Sequence, residues 1–193
     1  MILSPHLLLN AYAQGVFPMA DIDGSIYWYD PDPRAIIPLD SFHVPRRLAR
    51  RIRQGQFEVR FDTAFRAVMT ACAQSAPGRE TTWINDEIID SYCELHELGF
   101  AHSVESWLDG ELVGGLYGVS LRGFFAGESM FSRATDSSKV ALVALVEHLR
   151  RRNFLLLDTQ FTTKHLKKFG AVEIPRADYL RRLDAALRAE TQF

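Results

Sequence analysis

Prolines are concentrated in the first 57 residues, which contain six of the eight in the chain, and this limits what that part of the chain can form. Two segments there, 15–19 and 27–34, combine proline with aromatic residues. Proline has no backbone N–H, so it interrupts both a helix interior and the hydrogen-bond ladder of a central strand. We therefore expect neither a long helix nor a central strand here, and we predict a small amino-terminal domain over residues 1–57.

Two short helices are compatible with this domain. Apolar spacing favours one over residues 7–14, and Gly15 follows it as a helix end. Leu48 and Ile52 are four residues apart, so they give the arginine-rich stretch 46–53 one apolar side.

From residue 58 the pattern changes to alternating strand and helix signals. Apolar periodicity predicts strands over 57–61, 101–108, 111–119, 123–131 and 154–161, and helices over 64–74, 85–98, 137–149 and 162–169. Asp109-Gly110 between apolar runs predicts a hairpin. Antiparallel strands combined with helices in this order indicate an α+β fold class for a second domain, 58–193.

The first two of these helices have recognisable end signals. Asp62 or Thr63 is expected to cap the helix over 64–74, and the Pro77-Gly78 pair is expected to end it. The helix over 85–98 ends at Gly99, and its inward side is predicted to consist of Ile88, Ile89, Tyr92, Leu95 and Leu98.

Composition favours a soluble protein of a reducing compartment. The chain of 193 residues is 47% hydrophobic and 24% charged, which is typical of a globular protein. Its two cysteines lack Cys-x-x-Cys spacing, and its amino terminus lacks the pattern of a secretory leader. The apolar run 154–157 is far too short to span a bilayer. We expect a cytoplasmic monomer that does not contact membranes.

Basic residues form three local clusters although the formal net charge is −2. The first has five arginines within 46–53, the second is 150–152, and the third consists of Lys164, Lys167 and Lys168. Basic patches on a nearly neutral body suit an anionic partner with a limited footprint. The alternative is that each cluster is the solvated face of a helix.

Two segments place polar residues where apolar ones are expected. Glu128 lies among small residues, aromatics and a methionine, and because an unpaired buried carboxylate is costly, it is either paired with a basic residue or functional. Asp158 and Gln160 end an apolar run, and strand alternation places both on one face. They indicate a hydrogen-bonded pair at a cleft, or a strand end that reaches solvent.

A series of short motifs makes the chain recognisable. They are Gly-Val-Phe-Pro at 15–18, Trp-Tyr-Asp-Pro-Asp-Pro-Arg-Ala at 28–35, Thr-Trp-Ile at 82–84, Leu-His-Glu-Leu-Gly at 95–99, His-Ser-Val-Glu at 102–105, Leu-Val-Gly-Gly-Leu-Tyr-Gly at 112–118, Gly-Glu-Ser-Met-Phe-Ser at 127–132 and Ile-Pro-Arg at 174–176. In this order, over about residues 7–183, the chain resembles the bacterial leucyl/phenylalanyl-tRNA-protein transferases.

The resemblance implies a fold and a function. It implies a small amino-terminal domain joined to a GNAT-like α+β domain with a mostly antiparallel sheet. It also implies transfer of Leu or Phe, and possible use of Met, from aminoacyl-tRNA to acceptor proteins that begin with Arg or Lys, which marks them for N-degron degradation. No cofactor or metal is implied.

The resemblance also assigns roles to residues. The amino acid pocket would be lined by Leu116, Phe125, Met130 and Phe131, with Glu128 and Ser132 on its rim. Tyr12, Trp83 and Tyr92 would lie near the terminal adenosine, although core packing is the alternative for Trp83 and Tyr92. Asp158 would orient Gln160 by a hydrogen bond, the Gln160 carbonyl would accept a hydrogen bond from the attacking amine, and Glu128 would contact that amine or the acceptor's cationic side chain.

Two positions depart from the family pattern. Met19 stands where relatives often have Trp, which removes one expected nucleoside contact, and Leu116 stands where some relatives have Met. Neither departure affects Asp158 or Gln160, the residues expected to act at the reacting centre.

Two other functions fit parts of the sequence. An acetyl-CoA-dependent acetyltransferase needs a glycine-rich phosphate cradle at a helix start, but there is no glycine between Ser129 and Lys139. A non-catalytic RNA- or peptide-binding module would use the basic clusters and aromatics, and would bind tRNA whether charged or not. None of the six histidines has zinc-site spacing to another His or to Cys, so we expect no metal.

Overall fold

The chain is described by a computed structural model that covers residues 3–75 and 81–193. Its helices are α1 (Pro5–Ala13), α2 (Arg46–Arg53), α3 (Phe65–Ala73), α4 (Asp86–Glu97), α5 (Ser137–Arg151), α6 (Lys164–Lys167) and α7 (Arg176–Leu187). Its strands are β1 (Phe17–Ala20), β2 (Ile26–Tyr29), β3 (Arg34–Ile37), β4 (Glu58–Phe61), β5 (Ala101–Leu108), β6 (Glu111–Leu121), β7 (Phe124–Ser132), β8 (Leu156–Gln160) and β9 (Val172–Ile174). The helix end predicted at Pro77-Gly78 lies outside the described residues.

The described strands form one large sheet and a separate hairpin. The order in the large sheet is β4-β5-β6-β7-β8-β3-β9, and the hairpin pairs β1 with β2. Every pairing in the large sheet is antiparallel except that of β7 with β8. The predicted α+β class, with a mainly antiparallel sheet flanked by helices, is confirmed.

Strand β3 corrects one prediction about the proline-rich segment. Four residues between Pro33 and Pro38 pair with β8 on one side and β9 on the other, so an interior strand does form there. The prolines flank the strand and leave its backbone N–H groups free for the ladder. The domain division after residue 57 stays a prediction, and it would separate β3 from the rest of its own sheet.

Local signals predicted the meander well but missed one helix cap. Asp109 and Gly110 both have positive φ, 51° and 82°, as a tight hairpin requires, and the hairpin is confirmed. The cap predicted at Asp62 or Thr63 is wrong, because α3 begins after Ala64 and has no capping bond from its own segment. Glu105 of β5 instead holds the residues just before the helix, since its Oε1 accepts the N–H groups of Thr63 and Ala64, each at 3.1 Å.

Each face of the large sheet is covered by its own group of helices. One apolar core packs α1, α3, α4 and α7 against the sheet, and the other packs α2, α5 and α6. The inward side of α4 is buried as predicted except for Leu98, which is 56% exposed because the helix ends at Glu97. Among the described residues, no helix is both long and apolar enough to cross a membrane.

Candidate active site

The sheet splits open between β7 and β8. The two strands pair only over 124–126 and 156–158. Beyond these residues a cavity of about 310 Å³ lies between the strands, bounded by β1 and by the helices α5 and α6. Its apolar lining consists of Phe17, Met19, Trp83, Leu116, Met130, Leu142, Leu145, Leu157, Phe161 and Leu166. The cavity is therefore suited to an apolar side chain.

A β-bulge places Glu128 in the cavity wall. Tyr117 of β6 pairs with Ser129 of β7, and Gly118 pairs with Gly127, so Glu128 is the extra residue between two regular pairs. A bulge interrupts the alternation of side chains and redirects the inserted one. Glu128 is half-buried and lines the cavity beside Gly127.

A second irregularity turns the end of β8. Ala35 of β3 pairs with Gln160 and Ile36 pairs with Asp158, so Thr159 is the inserted residue. Gln160 has φ +56°, a left-handed conformation that few non-glycine residues adopt. Both Thr159 and Gln160 line the cavity, opposite the bulge of β7. Two local departures from regular strand geometry thus supply the polar wall of the site.

Glu128 joins two groups of polar residues. Burial raises the pKa of its carboxyl group to about 8, against a hydrogen bond from Tyr12 that lowers it. Gln160 donates its side-chain Nε2 to Glu128 Oε1 at 3.3 Å. The hydroxyls of Tyr12 and Tyr92 are hydrogen-bonded to each other, and burial raises the pKa of both phenols. The Glu128 carboxyl therefore holds its proton to a higher pH than an ordinary glutamate does.

Asp158 lies behind the cavity in a fully buried ion pair. Arg34 donates from Nε to Oδ1 at 3.0 Å and from Nη2 to Oδ2 at 2.7 Å. The Tyr179 hydroxyl donates to Oδ2 at 3.0 Å, and the backbone N–H of Gln160 donates to Oδ1 at 2.9 Å. The other Arg34 amine, Nη1, donates to the Gly15 carbonyl at 2.7 Å. These bonds satisfy both carboxylate oxygens of Asp158.

The structure changes the expected relation between Asp158 and Gln160. A hydrogen bond joins them, but the donor is the Gln160 backbone N–H, and the side-chain amide contacts Glu128 instead. Strict alternation was the wrong assumption, because Thr159 is an inserted residue and Gln160 has left-handed backbone geometry. Gln160 lines the cavity, whereas Asp158 is fully buried and does not.

Only part of the predicted pocket lining is present in the cavity wall. Leu116 and Met130 line it, as expected from the resemblance, but Phe125, Phe131 and Ser132 do not. Phe125 is fully buried in the core below, and Phe131 follows Met130 on the strand and so packs in the core on the opposite face. Ser132 is exposed at the end of β7 and bonds to the Ala134 carbonyl at 2.9 Å.

The three predicted aromatic contacts to a nucleoside separate into two kinds. Trp83 lines the cavity next to Met19 and is partly exposed. Tyr12 and Tyr92 are 1% and 0% exposed, so neither offers a ring face to a base. They approach the site only through the Tyr12 hydroxyl, which is close enough to Glu128 to lower the pKa of that carboxyl group. Base stacking by Tyr12 or Tyr92 is therefore not supported by this geometry.

Arg34 and Tyr179 were missed by reasoning from the sequence. Arg34 is 124 residues away from Asp158, and no local spacing connects the two. The available signal was an arginine directly before three apolar residues in the short segment between two prolines. A cation at the start of a buried strand needs an anionic partner, and a buried Asp was the obvious candidate.

The described residues offer little to a metal or a nucleotide cofactor at this site. They include no group of three or more His, Cys, Asp or Glu side chains that could hold a metal ion. At the start of α5, Asp136 places a nearly buried carboxylate beside Lys139 and Arg51. The Asp136 side chain makes no hydrogen bond to the backbone amides of this helix start, but its negative charge opposes the binding of a pyrophosphate there.

Solved structures show only partial likeness to this chain. L-PGS from Bacillus licheniformis matches with a TM-score of 0.44 at 13% identity, over 84% of this chain and 54% of that chain. The ribosomal-protein-alanine N-acetyltransferase from Brucella melitensis biovar Abortus 2308 matches with a TM-score of 0.36 at 16% identity, over 52% of this chain and 76% of that one. The fold class is therefore taken from the order and pairing of the strands in the sheet itself.

Sequence relatives are much closer. The leucyl/phenylalanyl-tRNA protein transferase family model matches residues 36–184, and the model of its N-terminal domain matches residues 1–32. Two leucyl/phenylalanyl-tRNA–protein transferases are similar over nearly their whole length. The one from Herpetosiphon aurantiacus is 63% identical over 99% of this chain and 98% of its own, and that from Gloeobacter violaceus is 58% identical over 99% and 97%. The chain therefore belongs to the leucyl/phenylalanyl-tRNA protein transferase family and is an aminoacyltransferase.

Proposed function

We propose that this enzyme moves Leu or Phe, and also Met, from aminoacyl-tRNA to the amino terminus of proteins that begin with Arg or Lys. The observation that supports this best is the apolar cavity between the splayed strands, with Gln160 and Glu128 together in its wall. The cavity would hold the side chain of the transferred residue, and the polar wall would hold the amine that attacks its ester.

The lining of the cavity supports an apolar side chain of intermediate size. Leu116, Met130 and Leu157 supply one wall, and leucines of α5 supply the other. Burial of a Leu or Phe side chain contributes about 1.5–3 kcal/mol. Such a pocket separates similar apolar side chains poorly, by about 10- to 200-fold for one methylene group. Use of Leu, Phe and Met by one site is consistent with that limit.

Two groups of side chains are suited to contact the nucleic acid part of the substrate. Trp83 lines the cavity and keeps part of its ring exposed, so it can stack on the terminal adenine, a contact that contributes about 1–3 kcal/mol per base. The arginines of α2 are candidates for phosphate contacts. Arg46 and Arg50 are exposed, whereas Arg51 is partly used by its ion pair with Asp136.

The reaction requires little acid–base chemistry. A terminal α-amino group has a pKa of about 7.7–8.0, so a good fraction is unprotonated at neutral pH. Since Gln160 donates its Nε2 to Glu128, its carbonyl oxygen is free to accept a hydrogen bond from that amine. The amine nitrogen then forms a bond to the ester carbon, the bond from that carbon to the ribose oxygen breaks, and the amine proton ends on the ribose oxygen.

Glu128 is suited to contact the same amine. Its pKa of about 8 lies close to that of an α-amino group, so a proton can pass between the two at low cost. Asp158 acts indirectly, since it accepts a hydrogen bond from the Gln160 backbone N–H and does not line the cavity.

In cells the product would carry a new apolar amino terminus and enter the N-degron route, with the enzyme acting as a cytoplasmic monomer.

The direct test is transfer of radiolabelled leucine from charged tRNA to peptides that begin with Arg, Asp or Ala, without acetyl-CoA or metal. We expect transfer to the Arg peptide only, and a drop of about 100-fold for Gln160→Ala. Gln56→Ala, which removes an exposed glutamine outside the site, is the matched control and should transfer normally. Equal transfer to all three peptides would remove the proposed acceptor specificity, and full activity of Gln160→Ala would remove the proposed role of Gln160.

A further inference from the structure

We infer that Arg34 is a positioning residue for the transfer reaction, because it fixes both polar walls of the cavity relative to each other. It does not line the cavity and therefore acts through its neighbours. The inference rests on the role proposed above for Gln160.

The first link runs from Arg34 through Asp158 to Gln160. Two parallel hydrogen bonds, of 3.0 and 2.7 Å, hold the Asp158 carboxylate in one plane. Its Oδ1 then accepts the backbone N–H of Gln160 at 2.9 Å. That bond stabilises the left-handed conformation of Gln160, which directs its side chain into the cavity. A rotated Asp158 would release the backbone that sets the position of the amide.

The second link runs from Arg34 to the opposite wall. Its Nη1 donates to the carbonyl of Gly15 at 2.7 Å, directly after the end of α1. That helix carries Tyr12, whose hydroxyl is close enough to Glu128 to lower the pKa of that carboxyl group. One guanidinium group therefore holds the segment that positions Glu128 as well as the segment that positions Gln160.

The guanidinium group is also packed against two aromatic rings. It lies between the rings of Phe17 and Tyr179, with its carbon 4.9 and 4.4 Å from the two ring centroids. The Tyr179 hydroxyl adds a hydrogen bond of 3.0 Å to Asp158. Lysine could supply the positive charge, but it could not stack on the two rings or form the bidentate pair of hydrogen bonds to Asp158. Arginine is therefore required for its geometry and not only for its charge.

Stability alone is a poor explanation for this arrangement. Arg34 and Asp158 are both 0% exposed, and a buried ion pair is often no more stabilising than apolar side chains of similar volume. The pair also lies directly behind the residue proposed to hold the amine. Its further bonds join the Gly15 carbonyl to the backbone N–H of Gln160, so the pair connects the two segments that carry the polar walls.

The experiment compares Arg34→Lys and Tyr179→Phe with the parent enzyme. Arg66→Lys is the matched control, since it alters an exposed ion pair with Asp90 that is remote from the cavity. Three quantities are measured for each protein: the single-turnover rate of leucine transfer, the Kd for charged tRNA, and the hydrogen exchange rate of the Gln160 backbone amide.

We expect Arg34→Lys to slow transfer about 100-fold, with the Kd for charged tRNA within about threefold of the parent and faster exchange at Gln160. Tyr179→Phe removes one of the bonds to Asp158 and should slow transfer about 3- to 10-fold. Arg66→Lys should change none of the three. A rate loss without a loss of tRNA binding separates positioning from general damage to the fold.

Each contrary result overturns a defined part of the inference. Parental transfer by Arg34→Lys, unchanged exchange at Gln160, or a rate loss matched by weaker tRNA binding would overturn it. If Arg34→Lys does not fold, the test rests on Tyr179→Phe. Transfer and exchange at the parental rates in that variant would then overturn the inference. If Gln160→Ala transfers at the parental rate, the proposed function of Gln160 fails first and the inference fails with it.

Discussion

Glu128 should make the stability of this enzyme depend on pH in an unusual direction. Burial raises the pKa of its carboxyl group from the ordinary value of 4.5 to about 8. Between these two values the folded protein keeps a proton that the unfolded chain has released, so the free energy of unfolding falls as pH rises. At about 1.36 kcal/mol for each pH unit, the loss approaches 5 kcal/mol by pH 8. Glu128 lines the cavity, so water in the cavity reduces the cost of ionising its carboxyl group. We therefore expect the free energy of unfolding to fall by about 2–5 kcal/mol.

The substitution Glu128→Gln isolates this effect, since glutamine resembles the protonated acid but cannot ionise. Urea unfolding at pH values from 5 to 9 gives the free energy of unfolding for both proteins. We expect similar stability at pH 5, and a variant more stable than the parent by about 2–5 kcal/mol at pH 9. Glu94→Gln, at an exposed position, is the control and should show no such trend. A difference between parent and Glu128→Gln that stays constant over this range would refute the reasoning.

Three further substitutions test the cavity, the ion pair and a close contact. Leu116→Phe narrows the cavity and should lower kcat/KM for phenylalanyl-tRNA about tenfold more than for leucyl-tRNA in competition assays; equal losses would argue against a side-chain pocket there. Asp158→Asn leaves a buried guanidinium group without its anion and should cost about 3–5 kcal/mol in urea unfolding, and a loss below about 1 kcal/mol would contradict a dry ion pair. Gly15 has φ +80°, and a Cβ there would lie only 2.9 Å from the Tyr179 ring, whereas Gly24 has a similar φ and open space around it. The melting temperature should therefore fall further in Gly15→Ala than in Gly24→Ala. Equal falls would show that the Tyr179 ring moves to make room for the Cβ.

The sequence predicted the elements that depend on local signals. Helix α4 begins after Asn85, whose side chain accepts the N–H of Ile88, and ends before Gly99, as the apolar pattern indicates. The hairpin at Asp109-Gly110 was equally clear. In these places local propensity and tertiary packing favour the same conformation, so the pattern in a short window is sufficient.

The rest could not be read from short windows. Strand β3 was missed because its partners are more than 100 residues away in β8 and β9. The pocket lining was taken from the resemblance, and it included Phe125 and Phe131, which lie in the core and not in the cavity wall. The insertions at Glu128 and Thr159 shift the alternation of side chains, and no sequence period reveals a one-residue shift. The pairing of Arg34 with Asp158 depends on the complete topology.

The glycines of segment 112–118 show how the sequence nevertheless specifies this site. At Gly118 a Cβ would lie 2.2 Å from the Ala126 carbonyl oxygen and 2.4 Å from the Phe125 ring, so no side chain fits opposite the bulge of β7. At Gly114 a Cβ would collide with Ser137, the first residue of α5. The first glycine permits the insertion of Glu128, and the second permits the close approach of the helix whose leucines line the cavity. Both are packing requirements in the structure, yet each determines where a group of the cavity wall lies.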